Sequence, residues 1–529
     1  MPDLLNTKSH LTEWFLTAEE RGNPATLIDR RHPDARAWTA GNEVTPLVHG
    51  SDYFSALVAV VKAMGEGDLL CFADWRGDPD ERLDSEGTQV ESLLCHAARR
   101  GVAVRGLIWR SHLDKLQFSA SENRHLGEEI NAAGGRCVLD QRVRPGGSHH
   151  QKFVVARHPD RPALDVAFVG GIDLCHSRRD DATHGGDPQS QPMAAVYGSS
   201  PPWHDIQLKI QGPAVGDIET VFRERWQDRT PLSLNPVRLV RDRLSLSDAR
   251  GRSLPDQLPD PEIRGAHAVQ ILRTYPARWP RYPFAPDGER SVARAIGKVL
   301  DRARRLIYIE DQYFWSKDIA AGFCKALVAQ PDLRMIGVLP LYPDQDGATS
   351  LAPNLIGRSD ALELLTRAAP GRVAFYGIEN HSGVPVYVHA KVCVVDDIWA
   401  SVGSDNFNLR SWTHDSELSC AVLSEDAELG RGYAAELRLR LAAEHLDRDL
   451  SDVADLAEPL AAFDAFAASA AALDRWHADG CKGPRPQGRL RRYATPQLSR
   501  VERLWSRPVY RTLFDPDGRR KAMRVQGTF

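Results

Sequence analysis

The 529-residue sequence has no apolar run that approaches the ~20 residues needed to cross a bilayer. Its N-terminus, MPDLLNTKSHLTEWF, lacks the basic region and following apolar stretch of a Sec signal peptide. The eight cysteines are scattered singly inside apolar runs, without a CxxC pair or zinc-like spacing, which favours reduced core thiols. No P-loop or GxGxxG pattern is present, which argues against a nucleotide-driven reaction. Together these absences predict a cytoplasmic protein.

The composition is that of an ordinary globular protein, and the length predicts two to four domains. The formal net charge of −4 is unevenly distributed, since the segment 481–529 carries 13 Lys/Arg against 3 Asp/Glu. A basic tail can bind phosphate surfaces, either lipid headgroups or nucleic acid. The alternative is that its arginines pair with the acidic body. The tail also contains Trp505, Tyr510, Leu513 and Phe514, which predict that it packs on the rest of the chain.

Predicted helices and strands alternate along the chain, and the order of the first half repeats in the second. This alternation predicts an α/β sandwich in each half. The predicted organisation is an N-terminal segment (1–45), a first half (46–235), a linker (236–264), a second half (265–445), and a helical segment with the basic tail (446–529).

Two stretches carry the same chemistry. YVHAKVCVVDDIWASVGSDNF spans 387–407, and HHQKFVVARHPDRPALDVAFVGGID spans 149–173. Because residues i and i+2 of a strand face the same side, we expect His389 and Lys391 to project together, as do His150 and Lys152. A single such histidine is usually a core residue, but two matched copies, each followed by a Gly-Gly or Gly-Ser turn, favour a functional site.

Two facing half-sites of this kind would hold one phosphate between two histidines. One imidazole can then attack phosphorus while the other protonates the leaving oxygen. The lysines and an asparagine amide would stabilise the charge on the phosphoryl oxygens. This chemistry requires no metal and no other cofactor.

These residues resemble the phospholipase D superfamily, whose signature is His-x-Lys, four residues, Asp, then six residues and Gly-Ser-x-Asn. The second copy matches the signature in full, at His389, Lys391, Asp396, Gly403, Ser404 and Asn406. The first copy resembles the phosphatidylcholine-hydrolysing branch in HHQK, VAFVGGIDLC and PWHDIQLKIQGPAVGDIETVFRERW, and LIYIEDQYF resembles the opening of that branch's second half. The resemblance covers residues 45–445 and implies two pseudo-symmetric α-β-α halves that form one active site at their interface.

The first copy departs from the signature. Arg157 stands five residues after Lys152 where the family has Asp, and Asp165 follows only after a short insertion. Asp173 stands where many members have Asn. LCHSRRD retains only Arg178 and Asp180 of the branch's usual pattern. In the family the motif aspartate is mainly structural, so these differences bear on headgroup specificity more than on catalysis.

The resemblance implies that His150 attacks phosphorus and that His389 protonates the leaving group and then activates water, although the histidines are chemically interchangeable. Asp205 is the predicted carboxylate partner of His150, and Asp415 and Glu417 both qualify as the partner of His389. The full catalytic prediction is His150, Lys152, Asp173, Asp205, His389, Lys391, Asp396, Asn406, Asp415 and Glu417. The predicted substrate-binding residues are Gly171, Ser404, Trp203, Tyr313 and Trp412.

The predicted function is hydrolysis of a glycerophospholipid, such as phosphatidylcholine, to phosphatidic acid and a headgroup alcohol through a phosphohistidine. Alcohols would compete with water, giving transphosphatidylation. The alternatives are a cardiolipin-synthase-like phosphatidyltransferase, a metal-independent superfamily nuclease, and a non-catalytic lipid- or DNA-binding relative. The predicted partner is a phospholipid surface, contacted peripherally through the basic tail. The acidic body argues against nucleic acid, and a monomer is plausible.

Overall fold

The computed structural model describes residues 10–529 apart from 112–119, 236–239, 241–253, 348–349, 426–431 and 496. The first nine residues of the predicted N-terminal segment and most of the predicted linker therefore lie outside the described residues. The described chain is α/β, as predicted.

The strands begin and end as follows, in chain order: β1 (Thr39–Val48), β2 (Leu69–Asp74), β3 (Ala103–Trp109), β4 (Arg136–Asp140), β5 (Phe153–Arg157), β6 (Val166–Gly170), β7 (Trp203–His204), β8 (Ile206–Gln211), β9 (His267–Tyr275), β10 (Glu289–Arg290), β11 (Leu306–Glu310), β12 (Arg334–Val338), β13 (Val373–Glu379), β14 (Pro385–Val388), β15 (Val392–Val395), β16 (Trp399–Gly403), β17 (Glu417–Ser424) and β18 (Leu490–Arg492).

The α-helices of the described chain are α1 (Ala18–Arg21), α2 (Gly50–Ala63), α3 (Val90–Arg99), α4 (Ala120–Ala132), α5 (Ala214–Trp226), α6 (Ser291–Leu300), α7 (Lys317–Ala329), α8 (Leu351–Ala368), α9 (Leu409–Thr413), α10 (Tyr433–Leu446), α11 (Pro459–Ala478), α12 (Arg500–Val509) and α13 (Lys521–Gln526). The helices and strands predicted around both motifs are present, with ends that differ by a few residues. Each parallel crossover within a half contains a helix, as parallel strand pairs require.

The strand order of the two sheets shows the internal duplication directly. The first sheet runs β1-β8-β6-β5-β2-β3-β4. The second runs β9-β17-β16-β15-β11-β12-β13, which is the same order with corresponding strands. Strands β2, β3 and β4 of the first sheet are parallel, as are β11, β12 and β13 of the second. The motif strands β5 and β15 are antiparallel to their neighbours.

The two sheets are joined by strand pairing as well as by packing. Strand β1 of the first half pairs with β9 of the second, where Thr39 lies opposite Val269. Strands β7 and β14 pair in parallel, with Trp203 opposite Tyr387 and His204 opposite Val388. The second of these pairings connects the segments that carry the predicted site.

Alternation along the strands divides the core into layers. In β2, Leu69 and Cys71 face a core shared by both halves, which also contains residues of α5 and α10, whereas Leu70 and Phe72 face α2 and α3. Strand β11 alternates in the same way, with Tyr308 in the shared core and Ile309 in an outer core with α6, α7 and α8. The shared core is apolar and continuous, so the halves fold against each other rather than as loosely tethered units.

The cysteines form no disulfide, and six of the eight are buried, as predicted; Cys324 is partly buried and Cys481 is exposed. Within the described residues, no helix combines the length and apolarity that a bilayer crossing demands.

The basic tail packs on the second half through ion pairs. Arg503 of α12 contacts Asp360 at 2.9 Å and Glu363 at 3.0 Å, both on α8. Arg519 contacts Asp318 at 2.9 Å. Pairing with the acidic body therefore accounts for these tail arginines, while Leu504 on the outer side of α12 is 80% exposed.

Candidate active site

Both His-x-Lys segments lie immediately before a motif strand rather than inside it. His150 and Lys152 precede β5, and His389 and Lys391 precede β15. The prediction that these residues lie within strands is therefore wrong. In both segments the lysine side chain folds back onto the backbone of its histidine. The Lys152 ammonium donates to the His150 carbonyl oxygen at 3.0 Å, and Lys391 donates in the same way to the carbonyl of His389.

Each segment is hydrogen-bonded to the opposite half of the molecule. The backbone N–H of His389 donates to the carbonyl of His204 at 2.8 Å, next to the β7–β14 pair. The N–H of His150 donates to the carbonyl of Ser416 at 2.9 Å. The two motifs are thereby brought to one interface.

The carboxylate partners are crossed between the halves, which corrects the predicted pairing. Asp205 holds His389, not His150, with 2.6 Å between Oδ2 and Nδ1. Glu417 holds His150, with 2.9 Å between Oε2 and Nδ1. The reason is the strand pairing: each carboxylate follows a segment that lies beside the other half's histidine.

Asp415, the alternative to Glu417, has a backbone role. Its Oδ1 accepts from the N–H of Ser148 at 2.8 Å, and its Oδ2 accepts from Arg410 at 2.9 Å. It therefore fixes the turn that leads into His150 instead of touching either imidazole.

Two residues predicted to bind substrate hold these carboxylates in place. The Ser404 hydroxyl donates to Glu417 Oε2 at 2.6 Å, the same oxygen that contacts His150. A Cβ at Gly171 would lie 2.2 Å from Asp205 Oδ1, so only glycine permits the carboxylate to approach. Ser404 and Gly171 thus position the histidines through their partners.

The two lysines are buried beside the histidines. Lys152 Nζ lies 3.3 Å from Asp173 Oδ1, and Lys391 Nζ lies 3.3 Å from the side-chain oxygen of Gln312. Burial alone would raise the pKa of Asp173, but Lys152 and Arg178 lower it, so this carboxylate remains charged. Burial lowers the pKa of Lys391 to about 8, which places its loss of charge near neutral pH.

Both imidazoles are held neutral. Burial, together with the charges of Lys152 and Lys391, lowers the pKa of His150 well below its usual value. Burial and the charges of Lys391 and Arg178 do the same to the pKa of His389. The side chain of His150 is 16% exposed and that of His389 is 6% exposed, so His150 is the more accessible neutral nitrogen base.

The pKa values of the partner carboxyl groups are raised instead. Burial and the charge of Asp415 raise the pKa of Glu417 to about 8, and burial raises the pKa of Asp205 to about 6. In each pair the carboxyl oxygen and Nδ1 share one proton. Once the carboxyl group is ionised, that proton stays on Nδ1 and the Nε2 lone pair is directed away from the carboxylate.

Asp396 lies away from the reacting groups and has the structural role that the family implies. Its carboxylate accepts from the backbone N–H groups of Arg304, Arg305 and Leu306 at 2.7 to 2.9 Å. In the first half Arg157 is instead fully buried and pairs with Asp165 at 2.9 Å and Glu219 at 2.9 Å. The departure at this position is thus charge-compensated inside the fold.

The remaining predicted residues differ in their distance from the histidines. Trp203 packs on His389 with ring centroids 4.9 Å apart, whereas Tyr313 packs on Trp315 at 4.2 Å. Trp412 is a core residue against Phe407, so a place in the substrate pocket is wrong for it. Asn406 is buried, and its Oδ1 has no hydrogen-bond partner among the described residues.

Sequence reasoning missed two neighbours of the site, Trp75 and Gln312, and named a third, Arg178, only as part of the LCHSRRD pattern. The Trp75 ring lies edge-on to His150 at 6.2 Å and under the Lys152 ammonium at 5.8 Å. Arg178 stacks on Trp203 at 3.9 Å, and Gln312 contacts Lys391. Trp75 and Gln312 each follow the carboxyl end of a central strand, β2 or β11, where α/β sheets place their sites, and that position was the available signal.

Comparison with known proteins agrees with this geometry. The phospholipase D family model matches residues 80–321, and the model described as cardiolipin synthase, PLD-like domain, matches 296–438. Each model contains one of the two histidine segments. The chain belongs to the phospholipase D superfamily.

Among curated relatives, phospholipase D1 of Saccharomyces cerevisiae is 25% identical over 80% of this chain and 30% of its own length. Phospholipase D alpha 2 of Oryza sativa subsp. japonica is 26% identical over 72% of this chain and 62% of its own length. The chain thus spans between about a third and two thirds of these relatives. The crystal structure of phosphatidylserine synthase from Haemophilus influenzae Rd KW20 has the same fold, with a TM-score of 0.51, 13% identity and coverage of 84% of this chain and 96% of that one.

The pKa of Lys391 gives a prediction for the pH dependence of this site. Because its pKa is about 8, the ammonium that would bind a phosphoryl oxygen is present below that pH and lost above it. Because ionisation of Glu417, whose pKa is also about 8, frees the His150 lone pair, we expect kcat/KM on a soluble phosphodiester to reach a maximum near pH 8 and to fall at higher pH. In Lys391→Arg, whose side chain keeps its charge, residual activity should lack this alkaline limb. A wild-type profile that stays flat to about pH 9.5 would contradict the assignment.

Proposed function

We propose that the chain is a phospholipase D-type phosphodiesterase that hydrolyses glycerophospholipids through a covalent phosphohistidine. The observation that carries the proposal is the pair of neutral imidazoles, each oriented by a carboxylate from the other half and flanked by a buried lysine. The family membership and the names of the curated relatives support the same reaction.

In the first step, the Nε2 lone pair of His150 attacks phosphorus and the bond from phosphorus to the headgroup oxygen breaks. The lower exposure of His389 favours it as the acid that protonates the headgroup oxygen. The lysine and arginine charges that lower its pKa are offset when an anionic phosphodiester binds between them, so substrate binding favours its protonated form. Lys152, Lys391 and Arg178 stabilise the charge on the phosphoryl oxygens.

In the second step, His389 accepts a proton from water, which attacks phosphorus and releases His150 with phosphatidic acid as the product. An alcohol can replace water in this step. The function is tested with phosphatidylcholine vesicles, on which we expect release of choline and phosphatidic acid, and formation of phosphatidylethanol when ethanol is added. Hydrolysis without any phosphatidylethanol would contradict an intermediate that is open to alcohols.

The separate roles of the histidines predict a burst experiment with bis(p-nitrophenyl) phosphate, whose leaving group needs no proton. His389→Ala should release about one nitrophenolate per chain and then stall, because His150 is phosphorylated but water is not activated. His150→Ala should give no burst. His158→Gln, which alters a buried histidine paired with Asp165, serves as the control and should turn over like the wild type. A burst in His150→Ala, with none in His389→Ala, would reverse the two roles.

A second candidate is a phosphatidyltransferase of the cardiolipin synthase type, favoured by the family match over residues 296–438. It uses the same first step but a lipid hydroxyl as the acceptor. Incubation with phosphatidylglycerol distinguishes the two: cardiolipin and glycerol would indicate the transferase, and phosphatidic acid and glycerol the hydrolase.

The proposal includes peripheral contact with an anionic lipid surface through α12. Val501, Leu504 and Trp505 form an exposed apolar row at helical spacing, while Arg503 and Arg507 hold the helix to α8. The exposed Arg500 and Arg511 flank the row and match a negatively charged lipid surface.

Leu504→Asp should weaken sedimentation with phosphatidylglycerol-containing vesicles and lower activity on them, because a carboxylate replaces an apolar group at the lipid contact. Activity on bis(p-nitrophenyl) phosphate should be unchanged. Leu460→Asp, at another exposed leucine on α11, is the matched control. Equal vesicle binding by the two variants would contradict the role of α12.

A further inference from the structure

A second polar cluster lies directly behind the His389 side of the site. It consists of His49 between β1 and α2, His184 in the loop after β6, His204 in β7 and Glu444 in α10. All three histidines are at most 1% exposed. One ligand atom from each of the four residues lies within 4.8 Å of all the others.

Three ring nitrogens converge on one carboxylate oxygen. Glu444 Oε1 lies 3.1 Å from His49 Nε2, 3.0 Å from His184 Nε2 and 3.5 Å from His204 Nδ1. The ligand atoms come from segments distant in sequence, which is why no metal-ligand spacing is visible in the chain.

Contacts outside the cluster determine which ring nitrogen of His184 and of His204 presents its lone pair to the centre. His184 Nδ1 lies 3.1 Å from the carbonyl oxygen of Trp203, which only accepts, so this nitrogen carries the hydrogen. His204 Nε2 lies 2.6 Å from Glu310 Oε2 and donates to it. In their neutral forms, His184 Nε2 and His204 Nδ1 therefore present lone pairs toward Glu444. A carbonyl or carboxylate on the far ring nitrogen is the usual outer contact of a metal-binding histidine.

Lone pairs directed at a carboxylate repel one another unless a cation lies between them. The cation is either a set of added protons or a metal ion. His204 Nδ1 has no hydrogen-bond partner among the described residues. A proton on it would face Glu444 Oε1 at 3.5 Å, which is too long for a good hydrogen bond, and a buried donor satisfied so poorly is costly. A metal ion satisfies this nitrogen and the other ligands together.

The donor set fits zinc. Three imidazole nitrogens and one carboxylate oxygen are ligands that Zn²⁺ takes in four-coordinate sites, and bonds of about 2.0 to 2.2 Å place neighbouring tetrahedral ligand atoms about 3.3 to 3.5 Å apart. The three distances to Glu444 Oε1 lie between 3.0 and 3.5 Å. All four positions are filled by protein, as in structural rather than catalytic zinc sites.

We propose that His49, His184, His204 and Glu444 form a structural Zn²⁺ site that fixes the interface behind His389. The carbonyl of His204 accepts from the N–H of His389 at 2.8 Å, and its neighbour Asp205 holds the His389 ring. Glu444 comes from the second half, so the ion ties that half to three segments of the first. This ion is separate from the histidines and lysines to which the proposed phosphoryl transfer is assigned.

The direct test is the metal content of the full chain, expressed without a histidine tag in zinc-supplemented medium and measured by elemental mass spectrometry after dialysis. We expect about one zinc ion per chain, and a loss of most of it in His49→Gln and Glu444→Gln. His158→Gln, which changes an equally buried histidine outside the cluster, should retain the zinc.

Melting of the wild type provides a readout that needs neither activity nor a folded variant. Stripping with a strong chelator should lower the Tm by several degrees, and Zn²⁺, but not Mg²⁺, should restore it. A wild type without transition metal and without a Tm response to Zn²⁺ would overturn the proposal, leaving protons to fill the cluster. Zinc retained in both cluster variants would overturn it as well, since the ion would then lie elsewhere. Metal content and Tm do not depend on the proposed lipid hydrolysis, so a negative result with phosphatidylcholine vesicles would not affect this test.

Discussion

The exchange of carboxylates between the halves is the constraint on which the site depends. Glu417 of the second half orients His150 of the first, and Asp205 of the first orients His389 of the second. Neither half holds a complete histidine–carboxylate pair. The duplication therefore supplies two sets of parts for one site, and the shared apolar core and the β7–β14 pairing keep them in register.

The electrostatics follow from the same arrangement. Burial at the interface lowers the pKa of both histidines, Lys152 and Lys391 lower it further, and Arg178 adds to the effect on His389, so both imidazoles are neutral. An uncharged imidazole is a nucleophile, and the surrounding cations are arranged for an anionic phosphodiester. Asp173 remains charged beside Lys152, which limits the repulsion among these cations before a substrate binds.

Much of the fold follows from sequence pattern, because the strands and helices of both halves are long enough to show their periodicity. The His-x-Lys segments and the Gly-rich turns were visible because each is a local pattern that occurs in both halves. The crossed pairing of carboxylates and histidines was not visible in the sequence. It depends on β7, which is only two residues long, and on a single bridge between His149 and Ser416. Such short contacts across the interface leave no periodic signal, so the local rule that joined Asp205 to His150 gave the wrong partner.

The most direct test of the crossed site is to follow phosphohistidine formation and hydrolysis separately in Glu417→Gln and Asp205→Asn, by rapid quench with bis(p-nitrophenyl) phosphate. If each carboxylate serves the histidine of the opposite half, Glu417→Gln should slow formation of the intermediate. Asp205→Asn should leave its formation faster than its hydrolysis, so that phosphoenzyme accumulates. The opposite assignment, with accumulation in Glu417→Gln and slow formation in Asp205→Asn, would contradict the account.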